Sequence, residues 1–305
     1  MDQLSAMRAF IRVVETGNFS RAAEALRMPK ATVSTLIQGL ESHLQTKLLN
    51  RTTRRVMVTT DGALYYERAV QIVSELEELD SSLSTSHGLA SGRLRVEMAG
   101  AFADWIVIPA LCDFYQKYPD IRIDLGVGDR TVDYLAENVD CALRGGTPAD
   151  QSLIARRVAE VALITCASPL YLERFGVPQH PRDIEKDHYC VNYLRAETNR
   201  ILPLEFRKDG ESELEIDGRY IVSVNDARSY MTAVRAGLGI AQLPLFMIGD
   251  ALETGELVQL CPDWNREPLP LYVVYPPTRH LSNKVRVFVD WLAKLLGDAK
   301  LDRLP

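Results

Sequence analysis

The sequence predicts an α/β protein in which a helical head with a small β-wing is followed by one long helix and an α/β body. Three observations carry that expectation. Positive charge is concentrated in residues 1–60, which hold nine Lys/Arg against four Asp/Glu, although the whole chain of 305 residues has a formal charge of −6. Two amphipathic stretches separated by a tight break lead into an arginine-rich, alternating segment. From residue 93 onward, strand-like and helix-like stretches alternate, the pattern of a layered α/β fold.

The head opens with Leu4, Met7, Phe10, Ile11 and Val14 at three- and four-residue spacing. This predicts an amphipathic helix over the first fifteen residues, ended by Gly17-Asn18. Ser20 is the predicted N-cap of a short helix over 21–26. Arg27-Met28-Pro29 then breaks the chain, and Pro29 suits the first turn of a further helix running to about Leu44. Val33, Ile37, Leu40 and Leu44 would face inward, while Lys30, Ala31, Thr32, Ser34, Thr35 and Gln38 face outward. Two helices so joined form a helix-turn-helix, whose second helix enters the major groove of double-stranded DNA. On these residues alone, an ordinary helical hairpin with a solvated face is the alternative.

The next segment, "LLNRTTRRVMVTT", favours DNA. Its alternation predicts a β-wing, and Arg51, Arg54 and Arg55 can meet phosphates or the minor groove. The candidate DNA-binding set is therefore Ser20, Lys30, Ala31, Thr32, Ser34, Thr35, Gln38, Arg51, Arg54 and Arg55.

Thr59 or Thr60 caps a long helix with Asp61 in its first turn. Along it, Tyr65, Ala69, Ile72, Leu76, Leu79 and Leu83 follow a heptad spacing, predicting a dimerisation seam. Packing of this stripe against the protein's own body is the alternative. "STSHGLASG" ends the helix as a hinge.

In the body, "GRLRVEMAG", "IRIDLGVG", "DCALRGG", "VALITCAS", "YIVSVND", "LGIAQLP" and "PLYVVYP" read as strands. "DWIVIPALCDFYQKYP", "VDYLAENV", "SPLYLERFG", "ARSYMTAVRAG" and "LSNKVRVFVDWLAKLL" read as helices, giving a mainly parallel sheet covered on both faces. Ligands of such sheets bind where strand C-termini meet helix N-termini. The turns so nominated lie at 99–102, 144–146, 165–168 and 225–226. Their candidate effector-binding residues are Gly100, Ala101, Phe102, Arg144, Gly145, Thr165, Asn225 and Asp226, with Arg144 equally well placed for an ion pair inside the body. Helix-start N–H groups and an apolar wall at Phe102 point to a small organic effector, a carboxylate above all.

No nucleophile-elbow, phosphate-loop or zinc-ligand spacing occurs, so neither an enzyme nor a cofactor or metal site is expected. "GLGIA" reads as a helix C-cap running into a buried strand. The cysteines (Cys112, Cys141, Cys166, Cys190 and Cys261) are scattered and read as buried structural thiols. An acid at position 2, no signal-peptide core and no long apolar run predict a cytoplasmic protein without a membrane contact.

Over nearly its full length the chain resembles the LysR-type transcriptional regulators. "FSRAAEALRMPKATVSTLIQGLESHLQTKLLNRTTRRVMVTTDG" carries the resemblance most specifically, supported by "YPDIRIDL", "DCALRGG", "SPLYLERFGVP", "AGLGIAQLP" and "LSNKVRVFVDWL". The resemblance implies a winged helix-turn-helix over 1–60, a linker helix and hinge over 61–92, and a periplasmic-binding-protein-like effector domain over 93–305. Lobe one would be 93–163 with 269–305, and lobe two 164–268. It further implies homodimers or homotetramers on promoter DNA, contact with RNA polymerase, and a ligand in the interlobe cleft. Lys30 stands where the family often has a base-reading glutamine, Thr35 where arginine is common, and Gln38 where lysine is common. Gly100-Ala101 replace a common hydroxyl residue. The alternative class is an enzyme or solute carrier whose head serves only for oligomerisation.

Overall fold

The computed structural model describes the chain apart from residues 1, 52–55, 84–89, 131–132, 135–136, 149, 151, 196–197, 278–280, 300 and 302–305, and apart from the side chains of 51, 71, 74–75 and 77–83. It divides into two compact units, Met1–Leu89 and Ala90–Pro305.

The first unit begins with α1 (Gln3–Thr16), whose N-terminus is capped by the Asp2 carboxylate accepting from Ser5 N–H and whose C-terminus turns at Gly17 with φ +62°. The following helix, α2 (Phe19–Ala25), is capped by Asn18, not by Ser20. Asn18 Oδ1 accepts from the N–H groups of Ser20 (2.7 Å) and Arg21 (3.3 Å). Both residue types are good caps, but the cap is the last extended residue before the helix, and that is Asn18 at φ −153°, while Ser20 is already helical. The chain then turns through Arg27 at φ +52°, where Met28 N–H bonds back to Ala23 O. α3 (Lys30–Leu44) follows, with Pro29 as its N-cap. Val33, Ile37 and Leu40 are fully buried with Ala6, Ala9, Phe10, Val13 and Ala22, so the period-3.6 stripe of each helix makes one core.

β1 (Leu49–Arg51) and β2 (Val56–Val58) pair antiparallel and form the wing. α4 (Thr60–Leu83) is capped by Thr59, whose hydroxyl accepts from Gly62 N–H at 2.9 Å. Met7, Ala69 and Val73 form a small cluster with Leu4, Ile11 and Tyr65, and Tyr65 also meets Phe10 edge-on at 5.6 Å.

The second unit starts with β3 (Gly92–Met98), a helical turn α5 (Gly100–Phe102), a π-helical turn over Ala103–Val107, α6 (Ile108–Lys117), β4 (Ile121–Val127), β5 (Cys141–Gly145) and β6 (Ile154–Val161). The helix expected over 132–139 lies partly outside the described residues. Within it, Glu137 N–H reaches Asp133 O and Val139 N–H reaches Tyr134 O. The chain continues through β7 (Leu163–Ala167), α7 (Pro169–Phe175), α8 (Pro181–Asp187), β8 (Tyr189–Leu194), β9 (Ile201–Leu202), β10 (Leu204–Phe206), β11 (Leu214–Ile216) and β12 (Arg219–Val224). It closes with α9 (Ala227–Arg235), β13 (Ala241–Pro244), α10 (Leu245–Glu253), β14 (Val258–Gln259), β15 (Leu269–Tyr275) and α11 (Asn283–Asp298).

One five-stranded sheet has the order β4-β3-β5-β15-β6. It is mixed and not mainly parallel: β3 runs parallel to β4 and β5, but β15 runs antiparallel to β5 and to β6. The chain leaves this sheet along β6 and returns along β15, so these two neighbours must oppose each other. Its core face buries Leu94, Val96, Met98, Leu143 and Val273 under Phe114 and Phe288. Strands from 163–259 build two three-stranded sheets, β13-β7-β14 and β12-β8-β9, and a hairpin of β10 and β11. They pack around separate clusters, one with Tyr230, Val234 and Leu243, the other with Tyr171, Phe206 and Trp264. We refer to the two sets of strands as lobe one and lobe two.

"GLGIA" behaves as expected of a cap and strand. Gly237 has φ +76° after α9, and Ile240 bridges Cys190. Of the cysteines, Cys112 is exposed, against expectation, and the other four are buried; all five are free thiols. Among the described residues no helix is long and apolar enough to cross a membrane, and no group of His, Cys, Asp or Glu could hold a metal ion.

Candidate DNA interface and interlobe ligand site

On α3, Lys30, Ala31, Thr32, Thr35 and Gln38 are exposed and Ser34 is half-buried, while the opposite face is closed off by the head core. This division follows from the sequence spacing. The Thr35 hydroxyl donates to Ala31 O at 3.0 Å, so outward it offers a methyl group and an acceptor lone pair. Ser20 sits half-buried in the first turn of α2. Arg51 ends β1, and its side chain is not among those described; Arg54 and Arg55 lie outside the described residues.

Sequence reasoning missed Glu41. It lies on α3 but is buried, and its carboxylate accepts from Leu48 N–H (3.0 Å), Leu49 N–H (3.1 Å) and Lys47 Nζ (3.1 Å). Burial by itself would raise the carboxyl pKa. The Leu49 N–H, the Lys47 ammonium and the Leu48 N–H outweigh it and hold the pKa below the ordinary value. Helix α3 and the strand that opens the wing are thereby tied together. Gly62 completes the junction: a Cβ there would lie 2.1 Å from Leu48 O and 2.9 Å from Val58 Cγ1, so only glycine fits.

The seam expected on α4 is divided. Tyr65, half-buried, and Ala69, only 1% exposed, pack on α1, so α1 of the same chain covers that part of the stripe. The spacing identified a stripe but not its cover. Ile72 is 49% exposed and Leu64, off that stripe, 62%; Leu76 is half-buried, and the side chains of Leu79 and Leu83 are not among those described.

In the second unit the nominated turns separate into two kinds. Gly100, Ala101 and Phe102 are all buried at the start of α5. Ala101 belongs to the lobe-two cluster, Phe102 lies 5.4 Å from Phe246, and the Arg228 guanidinium lies over Gly100, so these residues are interlobe packing and not an open pocket wall. Asp226 is the N-cap of α9, its Oδ1 accepting from Ser229 N–H at 2.8 Å, while Asn225 is exposed. Thr165 lies within β7 and not in a turn; its hydroxyl accepts from Gln242 Nε2 at 3.1 Å in the buried interior of lobe two. Arg144 lies inside β5 and its Nε meets the Tyr134 hydroxyl at 3.4 Å, with buried Nη2 left without a partner, and among the described residues it forms no ion pair. Gly145 ends the same strand beside Leu269.

What joins the first two turns is Asp129, another residue that sequence reasoning passed over. It follows β4 in lobe one. Its Oδ2 accepts from the Tyr193 hydroxyl of β8 and, at 3.3 Å, from Ala227 N–H at the start of α9, both in lobe two. Gly100 N–H in lobe one also stabilises the carboxylate charge, while Oδ1 is buried without a partner of good geometry. Burial is the largest influence and Asp226 adds to it, so the Asp129 pKa lies above the ordinary value despite its donors. Beside it, Arg228 of α9 pairs with Asp104 of the π-helical turn at 2.9 Å, a second tie between lobes. The missed signal was available. The rule that nominated the other turns applies equally to Gly128-Asp129 at the C-terminal end of β4.

A family model described as "Bacterial regulatory helix-turn-helix protein, lysR family" matches residues 4–63, and one described as "LysR substrate binding domain" matches residues 87–297. An uncharacterized HTH-type transcriptional regulator, YhjC of Escherichia coli (strain K12), is 38% identical over 305 residues, covering 98% of this chain and 99% of its own. An HTH-type transcriptional repressor of Pseudomonas aeruginosa (strain UCBPP-PA14) is 36% identical over 304 residues, covering 98% of this chain and 93% of its own. Among solved structures, the full-length Vibrio cholerae virulence activator AphB aligns at TM-score 0.59 and 29% identity, covering 96% of this chain and 98% of that one. CrgA, a LysR-type transcriptional regulator from Neisseria meningitidis, aligns with the same score, identity and coverage.

Proposed function

The chain belongs to the LysR family of bacterial regulatory helix-turn-helix proteins, and from that premise we propose which residues read DNA, which hold two copies together and where the effector acts. The protein is a transcriptional regulator, with a DNA-binding head and an effector-binding body. The observation that carries the residue assignment is the outward face of α3, where Lys30, Ala31, Thr32, Thr35 and Gln38 are exposed beside a wing held by Glu41.

In this reading Lys30 and Gln38 address base edges. Lysine donates to guanine, and glutamine can pair with adenine. Thr35 supplies a methyl group for thymine or accepts from an exocyclic amine. Arg51, Arg54 and Arg55 bind phosphates, and Ser20 and Ser34 lie at the margins of the same face. Fluorescence anisotropy with a fragment from the protein's own upstream region tests the division. Lys30→Ala should change base preference within the half-site, whereas Arg51→Ala should weaken all sequences together and lower the salt slope by about one unit. Equal weakening of specific and random DNA by Lys30→Ala would remove it from base reading.

Ile72, Leu76, Leu79 and Leu83 remain as the dimer seam. Leu76→Lys would bury a charge against its symmetry mate at about 3–5 kcal/mol, and sedimentation should show loss of the dimer. The body divides at 163/164 and 268/269 into the two lobes, and a small organic effector, a carboxylate, acts between them. Promoter DNA, a second copy or a tetramer of this chain, and RNA polymerase are its partners in the cytoplasm; it performs no catalysis.

A further inference from the structure

The cleft already contains a carboxyl group, supplied by the chain itself. Asp129 reaches out of lobe one and is received in lobe two by a tyrosine hydroxyl and by the first N–H of α9, with the Gly100 N–H acting from its own lobe. Tyr193 is held in turn by an edge-on contact with the Tyr230 ring at 5.3 Å, so its hydroxyl is oriented before the carboxyl arrives. Among the described residues no lysine or arginine is paired with Asp129. The nearby guanidinium of Arg228 is engaged with Asp104. The donors therefore recognise the shape and acceptor pattern of a carboxyl group, not merely a negative charge.

We propose that this is a carboxyl-group site between the lobes and that Asp129 fills it as a tethered ligand, latching lobe one to lobe two. This deepens the reading of the cleft as the effector site. An effector carboxylate has to take Asp129's place at Tyr193 and Ala227, and the two compete for the same donors. Exchange of a tethered for a free carboxylate changes what connects the lobes without changing the donors, which supplies the difference in affinity between two arrangements that any ligand-driven switch needs.

Chemical rescue tests it on the full chain without DNA or effector. Asp129→Ala removes the tethered group and should lower the melting midpoint. Added formate or acetate should then restore most of the loss, with sodium chloride at equal ionic strength giving no recovery and wild type showing no formate-specific rise. Asp129→Asn, which keeps the acceptor oxygen, should melt like wild type and gain nothing from formate. Tyr193→Phe combined with Asp129→Ala should abolish the rescue. Formate that stabilises Asp129→Ala no more than wild type, or that rescues the double variant equally well, overturns the proposal. Should Asp129→Ala not fold, Tyr193→Phe alone decides. Amide exchange at Ala227 should then quicken, and unchanged exchange refutes the latch. Because melting is read without effector, failed rescue removes the latch alone; intact rescue with no response to any carboxylate effector removes only the carboxylate reading.

Discussion

Glu41 in the head and Asp129 in the body are both acids drawn away from water, and both accept backbone N–H groups from a neighbouring element. Glu41 receives two such N–H groups and an ammonium, and its pKa is held below the usual range. Asp129 receives a hydroxyl and N–H groups but, among the described residues, no cation; it faces Asp226, and its pKa is raised above the ordinary value, by burial above all. One carboxylate is a fixed joint between α3 and the wing. The other is a joint whose charge the surroundings disfavour, and such a joint can be exchanged. What separates an anchor from a latch is thus the counter-charge, since both have backbone donors.

The comparison breaks most visibly at Glu41. Glu41→Ala leaves the buried N–H groups of Leu48 and Leu49 without an acceptor, and should cost the head about 3 kcal/mol. Urea unfolding followed by amide exchange at these two positions measures it; a loss near zero would mean that the wing is held by something else. Asp129→Ala should cost less, about 1–2 kcal/mol, because Tyr193 and Ala227 are only half-buried, whereas Leu48 and Leu49 are buried. Asp129→Asn should lie within about 0.5 kcal/mol of wild type at neutral pH, whereas Glu41→Gln should not, since the amide cannot keep the pairing with Lys47. A reversal of that order in thermal melting would invert the assignment of anchor and latch.

Acid sharpens the same contrast. Because the Glu41 pKa is lowered on folding, its contribution is complete above the ordinary glutamate value of 4.5 and is lost as pH falls through the folded-state value. For Asp129 the folded-state pKa is raised. Its contribution is complete below the ordinary aspartate value of 3.8 and declines as pH rises through the folded-state value, a slope that Asp129→Asn should flatten. Melting midpoints across pH for wild type, Glu41→Gln and Asp129→Asn resolve the two opposite slopes. The smallest effect concerns a purely local cost in the head. Arg27 occupies the left-handed region, and Arg27→Gly should raise stability by about 1 kcal/mol in urea titration.

Much of the head was legible because each helix there has one covered face. Val33, Ile37 and Leu40 repeat at helical spacing, and all three are buried. The same regularity misled on α4. A stripe containing Tyr65 and Ala69 has the same spacing whether a second copy or α1 covers it. Glu41 was overlooked because a charged residue on a helix ordinarily belongs to the solvated side, and its backbone donors, Leu48 and Leu49, lie where a strand begins only at Leu49. Asp129 follows glycine after a strand and reads as a turn former, so its reach to Tyr193, sixty-four residues on, left no local trace. β9 and β10 are two and three residues long, too short for alternation to register. The strand direction of β15 depends on where the chain re-enters the first sheet, which is a property of the whole path.

At Gly62 the Leu48 carbonyl and the Val58 side chain occupy the space that any Cβ would need. Translated into DNA, that crowding becomes a statement about the gene. Glycine codons share their first two bases, so every base change at either of those positions of codon 62 installs a side chain or a stop, and only third-base changes are silent. In a saturation library of this gene, codon 62 should therefore tolerate synonymous changes alone, while the codons for exposed Thr32 and Gln38 vary in any selection that demands a folded head without demanding one particular operator.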